Sequence, residues 1–186
     1  MTIIRPRDPT DLPSCASLLT RVYERDHYPV QGVSHAIDFL SSPSTLAAWV
    51  AESVSEEAAT PTPESPKPTS KILGHVSLTL PTPSSTDPAV LLWRAQSPSE
   101  PIAVLERLFV DPEARGQGLA AKLLRVASEE AKERGMRVVL LALVKDEMAM
   151  RLYERVGWRE FGRSSYAYAD HEGVEREMEA VCYVGP

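Results

Sequence analysis

The residues best equipped for chemistry lie in the run 103–118, AVLERLFVDPEARGQG, which continues directly into LAAKLLRVASEEAKERG. An apolar strand pattern ends at Asp111-Pro112, passes through Arg115-Gly116-Gln117-Gly118, and becomes a helix without interruption. The first N–H groups of a helix have no partner within it and point outward with the positive end of the helix dipole. The loop is therefore an anion site. Its two glycines let the main chain approach a bulky ligand with no Cβ in the way. The expected chemistry is retention of a phosphorylated cofactor, to which the rest of the chain delivers a second substrate. Glu106 is a second candidate, a carboxylate inside a strand whose neighbours Val104, Leu105 and Leu108 are apolar. Unpaired there, it would be costly to ionise, and its pKa would rise toward the range of a general base. A structural ion pair with an arginine, or a strand-edge position in water, fits the same pattern equally well.

Periodic elements must hold these groups in place. Residues 103–110 read as a strand and residues 117–134 as an amphipathic helix. Leu119, Leu123, Val126, Ala127 and Ala131 face its core side, and Lys122, Arg125, Glu129 and Glu133 face solvent. Gly135 is the natural stop. Residues 137–144, RVVLLALV, are apolar throughout, as in a strand covered on both faces. Asp146 then caps a helix through Val156, with Met148, Leu152 and Val156 on one face and Gly157 closing it. A last strand pair, 158–168 and 177–184, is joined by ADHEG. Upstream, residues 2–5 form a short strand, and a helix starts near Asp11 with Leu12, Cys15, Ala16, Leu19 and Val22 at helical spacing. Ser34 is placed to cap a short helix over residues 34–40. Residues 46–54 read as a strand, although their alanines also suit a helix, and residues 71–80 are a clearer strand.

Two segments interrupt this order. Residues 55–70 and 81–101 carry nine of the sixteen prolines, and proline removes a ladder donor, so both read as loop insertions in a single domain spanning residues 1–186. The first is expected to be a disordered connection between two hairpin strands. The second contains AVLLW at 89–93, which either anchors the loop or lines a substrate pocket.

A chain of 186 residues with 43% hydrophobic and 25% charged residues has the composition of one ordinary globular domain. Its net charge of −6 and the lack of a basic stripe argue against nucleic acid, and are weakly compatible with a cationic substrate. No apolar run approaches the length of a membrane span, and the N-terminal residues lack the apolar core of a signal peptide. The only cysteines, Cys15 and Cys182, are far apart, which makes a reducing, cytoplasmic setting the default. His27, His75 and His171 show no metal-type spacing, so no metal is expected.

The order strand, RGQG loop, helix, strand, helix resembles the GNAT superfamily of acetyl-CoA-dependent N-acetyltransferases. Arg115-Gly116-Gln117-Gly118-Leu119-Ala120 fits that family's [Q/R]-x-x-G-x-[G/A] pyrophosphate loop, and residues 152–158, LYERVGW, resemble its second signature. The motif-bearing likeness covers residues 103–162. It implies an α/β fold, a mixed central sheet of about seven strands flanked by helices on both faces. It also implies transfer of an acetyl group from acetyl-CoA to a primary amine by direct attack in a ternary complex. By resemblance, the N–H groups of Gly116, Gln117, Gly118, Leu119 and Ala120 would cradle the pyrophosphate, and Arg115 would pair with a phosphate. The backbones of Leu108, Phe109 and Val110 would bond the pantetheine arm where two strands splay apart. Tyr153 matches the family's tyrosine and would serve as the general acid, although a core aromatic also fits its spacing. Many family members carry Asn where this chain has Asp146; aspartate keeps a capping oxygen but loses the amide donor toward CoA.

Other readings compete. Residues 116–121 also fit the G-x-G-x-x-A of dinucleotide enzymes, yet no acidic residue follows about 20 positions on, and no P-loop Gly-Lys-[Ser/Thr] follows the loop. A non-catalytic acyl-CoA-binding module would need the loop but neither Tyr153 nor Glu106. The expected partner is an amine, small-molecule or protein, with neither nucleic acid nor membrane, and a homodimer is left open. Tyr28, His35, Trp93 and Tyr166 could line the acceptor site, although each by itself reads as packing.

Overall fold

The structure is a computed structural model that describes residues 1–54 and 70–186. The expected insertion at 55–70 lies almost wholly outside the described residues. Alternating apolar stretches form strands β1 (Thr2–Pro6), β2 (Thr45–Ser53), β3 (Lys71–Thr79), β4 (Ile102–Val110), β5 (Arg137–Leu143), β6 (Arg159–Ala169) and β7 (Glu175–Val184). Helices α1 (Leu12–Asp26), α2 (Ala36–Leu40), α3 (Pro88–Gln96), α4 (Leu119–Glu133) and α5 (Glu147–Arg155) cover the sheet. Strand order is β1-β2-β3-β4-β5-β7-β6, and the β4–β5 pair alone is parallel among the described strands. This is the mixed α/β architecture that the sequence implies.

Both faces of the sheet are buried. On one face, α4 sets Leu119, Leu123, Leu124, Ala127 and Ala131 against Leu73, Val76, Ala103, Leu105 and Leu140. Val126, expected in this core, is only partly buried, and Leu124 takes a full share instead. On the opposite face, α1 packs Cys15, Leu18, Leu19 and Val22 on Val50, Ile72 and Phe109, and α3 packs Ala89 and Val90 on Ile102, Val104, Val139 and Cys182.

Three local expectations are corrected. Residues 81–101 are not a loop throughout, because Asp87 Oδ1 accepts from the Ala89 and Val90 N–H groups at 2.8 and 3.3 Å and so starts α3. Pro88 occupies the first helical position, where a missing N–H costs nothing. The AVLLW run thus anchors a helix, with Trp93 edge-on to Phe161 at 5.0 Å. Ser34 does not cap α2, which starts from His35 with no side-chain cap. Asp146 stands at the start of α5 but makes no capping bond; its carboxylate instead accepts from Lys145 Nζ at 2.7 Å.

Two features distinguish β4 from a regular central strand. Its ladder to β5 covers only Ile102–Arg137 to Val104–Val139, after which β5 pairs with β7 alone. The two central strands therefore splay, as the resemblance implied. On its other side, His75 pairs with Phe109 and Ser77 with Glu106, so β4 carries one extra residue between these pairs. This bulge places Arg107 at φ 56°, in left-handed conformation. It also shifts the facing of the strand: Val104 and Phe109, an odd number of positions apart, lie on the same face of the sheet.

Candidate active site

The splay between β4 and β5 opens into a cleft of about 970 Å³, within the range of small-molecule sites. Nearly all of the sequence-nominated residues meet there. Leu108, Phe109, Val110, Arg115, Gly116, Gly118, Leu119, Ala120 and Asp146 line it, together with Glu106 of β4 and Tyr153 of α5. Gln117 is the exception, exposed and outside the lining.

Beyond the C-terminal end of β4, a short 3-10 turn (Pro112–Ala114) leads through the glycine loop into α4. Gly116 and Gly118 hold φ values of 81° and 73°, a region glycine enters freely. A Cβ on either would meet no protein atom within 4 Å, so the space over both is open. Gly118 is the residue at the start of α4, where no side chain caps the helix and no acidic residue occupies the first turn. The terminal N–H groups and the dipole thus keep their affinity for an anion, which fits a pyrophosphate. Arg115 is not a free loop arginine. It forms a two-point ion pair with Asp26 at the end of α1, one contact being 3.2 Å. Lys122 is exposed, away from the cleft, and Arg125 faces Glu129 along the same helix, as expected of a solvated helix face.

Buried Asp111 fixes the root of this loop. Its carboxylate, 1% exposed, holds Arg21 of α1 and Lys71 of β3, each at 3.0 Å, and accepts from the Glu113 N–H. Although burial pushes its pKa up, these donors outweigh burial and hold it below the usual carboxylate range.

Tyr153, 7% exposed, packs against Trp158 and Tyr183 at 6.0 and 5.6 Å between ring centres. It is therefore a core aromatic and a cleft residue at once. Burial, then the charges of Asp146 and Tyr183, pushes its pKa well up, so at neutral pH the phenol keeps its proton. Glu106 departs from the expectation of an unpaired carboxylate in apolar surroundings. It is about one third exposed and meets Arg107 Nη1 at 2.9 Å, the arginine-pair alternative.

Sequence reasoning does not single out Arg107, and it names Ala121 only within the competing dinucleotide motif; both line the cleft. No periodic signal marks Arg107, because its position depends on the bulge. Of the four acceptor-side residues weighed as packing, Tyr28 and Tyr166 line the cleft, whereas His35 and Trp93 do not. Burial raises the pKa of both tyrosines. Gln31 Nε2 donates to Tyr166 OH at 3.1 Å, joining the segment after α1 to β6 above the cleft.

Known proteins resemble this chain in sequence and in fold. The sequence model of the acetyltransferase (GNAT) family matches residues 36–158. An uncharacterized N-acetyltransferase of Methanocaldococcus jannaschii is 36% identical over 69 residues, 37% of this chain and 30% of that protein. An acetyltransferase of Agrobacterium fabrum is 41% identical over 58 residues, 31% of this chain and 42% of that protein. The matched part thus spans less than half the length of either relative. Among solved structures, Arabidopsis thaliana NAA60 in complex with acetyl-CoA superposes with a TM-score of 0.66 at 17% identity, covering 100% of this chain and 98% of that one. Since the family match takes in the glycine loop, the splayed strands and α5, the chain belongs to the acetyltransferase (GNAT) family.

Proposed function

We propose that the protein moves an acetyl group from acetyl-CoA to a primary amine by direct attack, with both substrates bound together. The observation that carries this reading is the break in the β4–β5 ladder after Val104, which exposes a strand edge between an uncapped helix N-terminus and Tyr153. The N–H groups of Gly116, Gly118, Leu119 and Ala120 would hold the pyrophosphate. The unpaired edge at Leu108, Phe109 and Val110 would take the pantetheine amides as an added strand. Arg115 would reach a phosphate by exchanging its Asp26 partner. The Arabidopsis neighbour solved with acetyl-CoA supports the choice of donor.

Transfer forms a C–N bond and breaks the thioester C–S bond. The amine must lose one proton and the departing thiolate gains one, so the exchange balances. Glu106 accepts the amine proton, directly or through a water, and Tyr153 supplies the thiolate proton; solvent then resets both. Direct attack also agrees with the cysteines. Burial pushes both thiols up to about 11, and neither lines the cleft, so neither is placed as an acyl-carrying nucleophile.

Calorimetry with acetyl-CoA and with NAD tests the donor. Binding of acetyl-CoA in the micromolar range and none of NAD is the expected result, and the reverse preference overturns the reading.

A further inference from the structure

In a regular strand, consecutive side chains leave on opposite faces. The extra residue in β4 breaks that rule and brings both Glu106 and Arg107 to the wall of one cleft, an anion beside a cation. To do so, Arg107 takes a left-handed backbone, φ 56°, which a residue with a Cβ seldom adopts. Strain of this kind in a binding cleft calls for a reason, and the side chain supplies one.

The Arg107 guanidinium is only partly satisfied. Nη1 meets Glu106 at 2.9 Å and Ser77 Oγ at a long 3.5 Å, and the group lies over the Phe39 ring, 5.1 Å from its centre. Nε is shut from solvent with no hydrogen-bond partner among the described residues. Nη2 has none either, and is not shut from solvent. The side chain is 13% exposed, so water compensates it poorly. A guanidinium whose Nη2 is unpaired and open, in a largely dry wall, is suited to a carboxylate. Of the other cleft cations, Arg115 is engaged by Asp26 and Lys145 by Asp146, and Arg155 lines the cleft from the end of α5.

The roof adds a size limit. Besides the Gln31–Tyr166 bond, a Cβ on Gly32 would come within 2.9 Å of His171 Cβ, so the segment after α1 touches the β6–β7 turn. Gln31 and Tyr166 both line the cleft, so their hydrogen bond crosses its acceptor half.

We propose that Glu106 and Arg107 together recognise a zwitterion, so that the acceptor is a compact amino acid whose ammonium meets Glu106 and whose carboxylate meets Arg107. The inference rests on the acetyl-transfer reading and narrows its acceptor.

The test compares free α-amino acids of varied side chain with their own carboxamides and with short peptide amides, at saturating acetyl-CoA. The preferred free acid should exceed its carboxamide roughly tenfold or more in kcat/KM, as expected for a charge-assisted pair. Arg107→Gln should bring that ratio to within about twofold of one, with Arg107→Lys falling between, since lysine keeps the charge without the fork. Folding of each variant is checked by its acetyl-CoA affinity. The wild-type ratio needs no variant. Carboxamides or peptides acetylated as well as the free acids, or a ratio that persists in folded Arg107→Gln, would overturn the inference alone. Failure of every amine despite tight acetyl-CoA binding would overturn the transferase reading and the inference with it.

Discussion

His75 and Arg107 meet through one hydrogen bond, from His75 Nδ1 to the Arg107 carbonyl at 2.9 Å, across the bulge where β4 outruns β3 by a residue. A carbonyl only accepts, so Nδ1 carries the proton. Nε2 is then free to accept from Arg7 Nη1 at 3.0 Å, and that same Arg7 nitrogen also donates to the Leu40 carbonyl at 2.8 Å. His75 is fully buried and stacked on Phe109 at 5.2 Å. A neutral imidazole of one tautomer thus ties the bulge to Arg7, just beyond β1, which in turn holds the end of α2, and the bulge orients Glu106 and Arg107.

That arrangement sets a pH dependence. Burial, assisted by the charges of Arg7 and Arg107, pushes the His75 pKa down to about 3, against 6.5 for the free group. Below pH 6.5 the unfolded chain takes up a proton that the native state refuses, so stability falls as pH falls through that window. Between pH 7 and 5 this amounts to about 2 kcal/mol, before the carboxylates titrate. His75→Gln can make both bonds and should remove that slope, as read by urea unfolding at the two pH values. Equal slopes in variant and wild type would show that His75 does not set it.

Tyr153→Phe keeps the ring packed on Trp158 and Tyr183 and removes only the hydroxyl. Acetyl transfer should fall by about a hundredfold, the usual scale of one acid or base, with acetyl-CoA affinity unchanged. Unchanged turnover would leave Tyr153 a packing residue.

Glu106→Gln removes the proposed proton acceptor. Transfer at pH 7 should drop by about a hundredfold, and the deficit should narrow as pH rises, because more of the amine then arrives already deprotonated. A deficit constant across pH would assign Glu106 to holding Arg107 rather than to proton transfer.

Gly118→Ala tests the loop. Alanine at φ 73° costs about 1–2 kcal/mol of backbone strain, and its Cβ would stand where the pyrophosphate approaches. Acetyl-CoA affinity should fall by more than about tenfold, beyond the loss of stability read by thermal unfolding. Affinity within error of wild type would move the anion site elsewhere.

The strands, the two long helices and the glycine loop are legible in the sequence, because each is written in local periodicity and in residues with special backbone freedom. α3 is also locally encoded, by Asp87 before Pro88, but the surrounding prolines outweigh that signal. The neighbourhood of Glu106 is legible only in part. The strand pattern leaves an unpaired carboxylate and an arginine pair equally open, and the bulge, held by His75 of β3 and by Arg7 beyond β1, decides for the pair with Arg107. Arg115 stands out in the motif, but its partner Asp26 lies 89 residues away and follows from the fold, whereas Asp146 pairs with its own chain neighbour Lys145.

The central claim is that this cleft brings acetyl-CoA and an amine together. The most direct measurement is an amine panel incubated with acetyl-CoA, following release of free thiol and identifying the acetylated product by mass. Thiol release that depends on the amine, matched by an equal amount of acetylated amine and reduced in Tyr153→Phe, is the predicted result. Acetyl-CoA bound but never discharged to any amine would contradict it and leave a binding module in place of an enzyme.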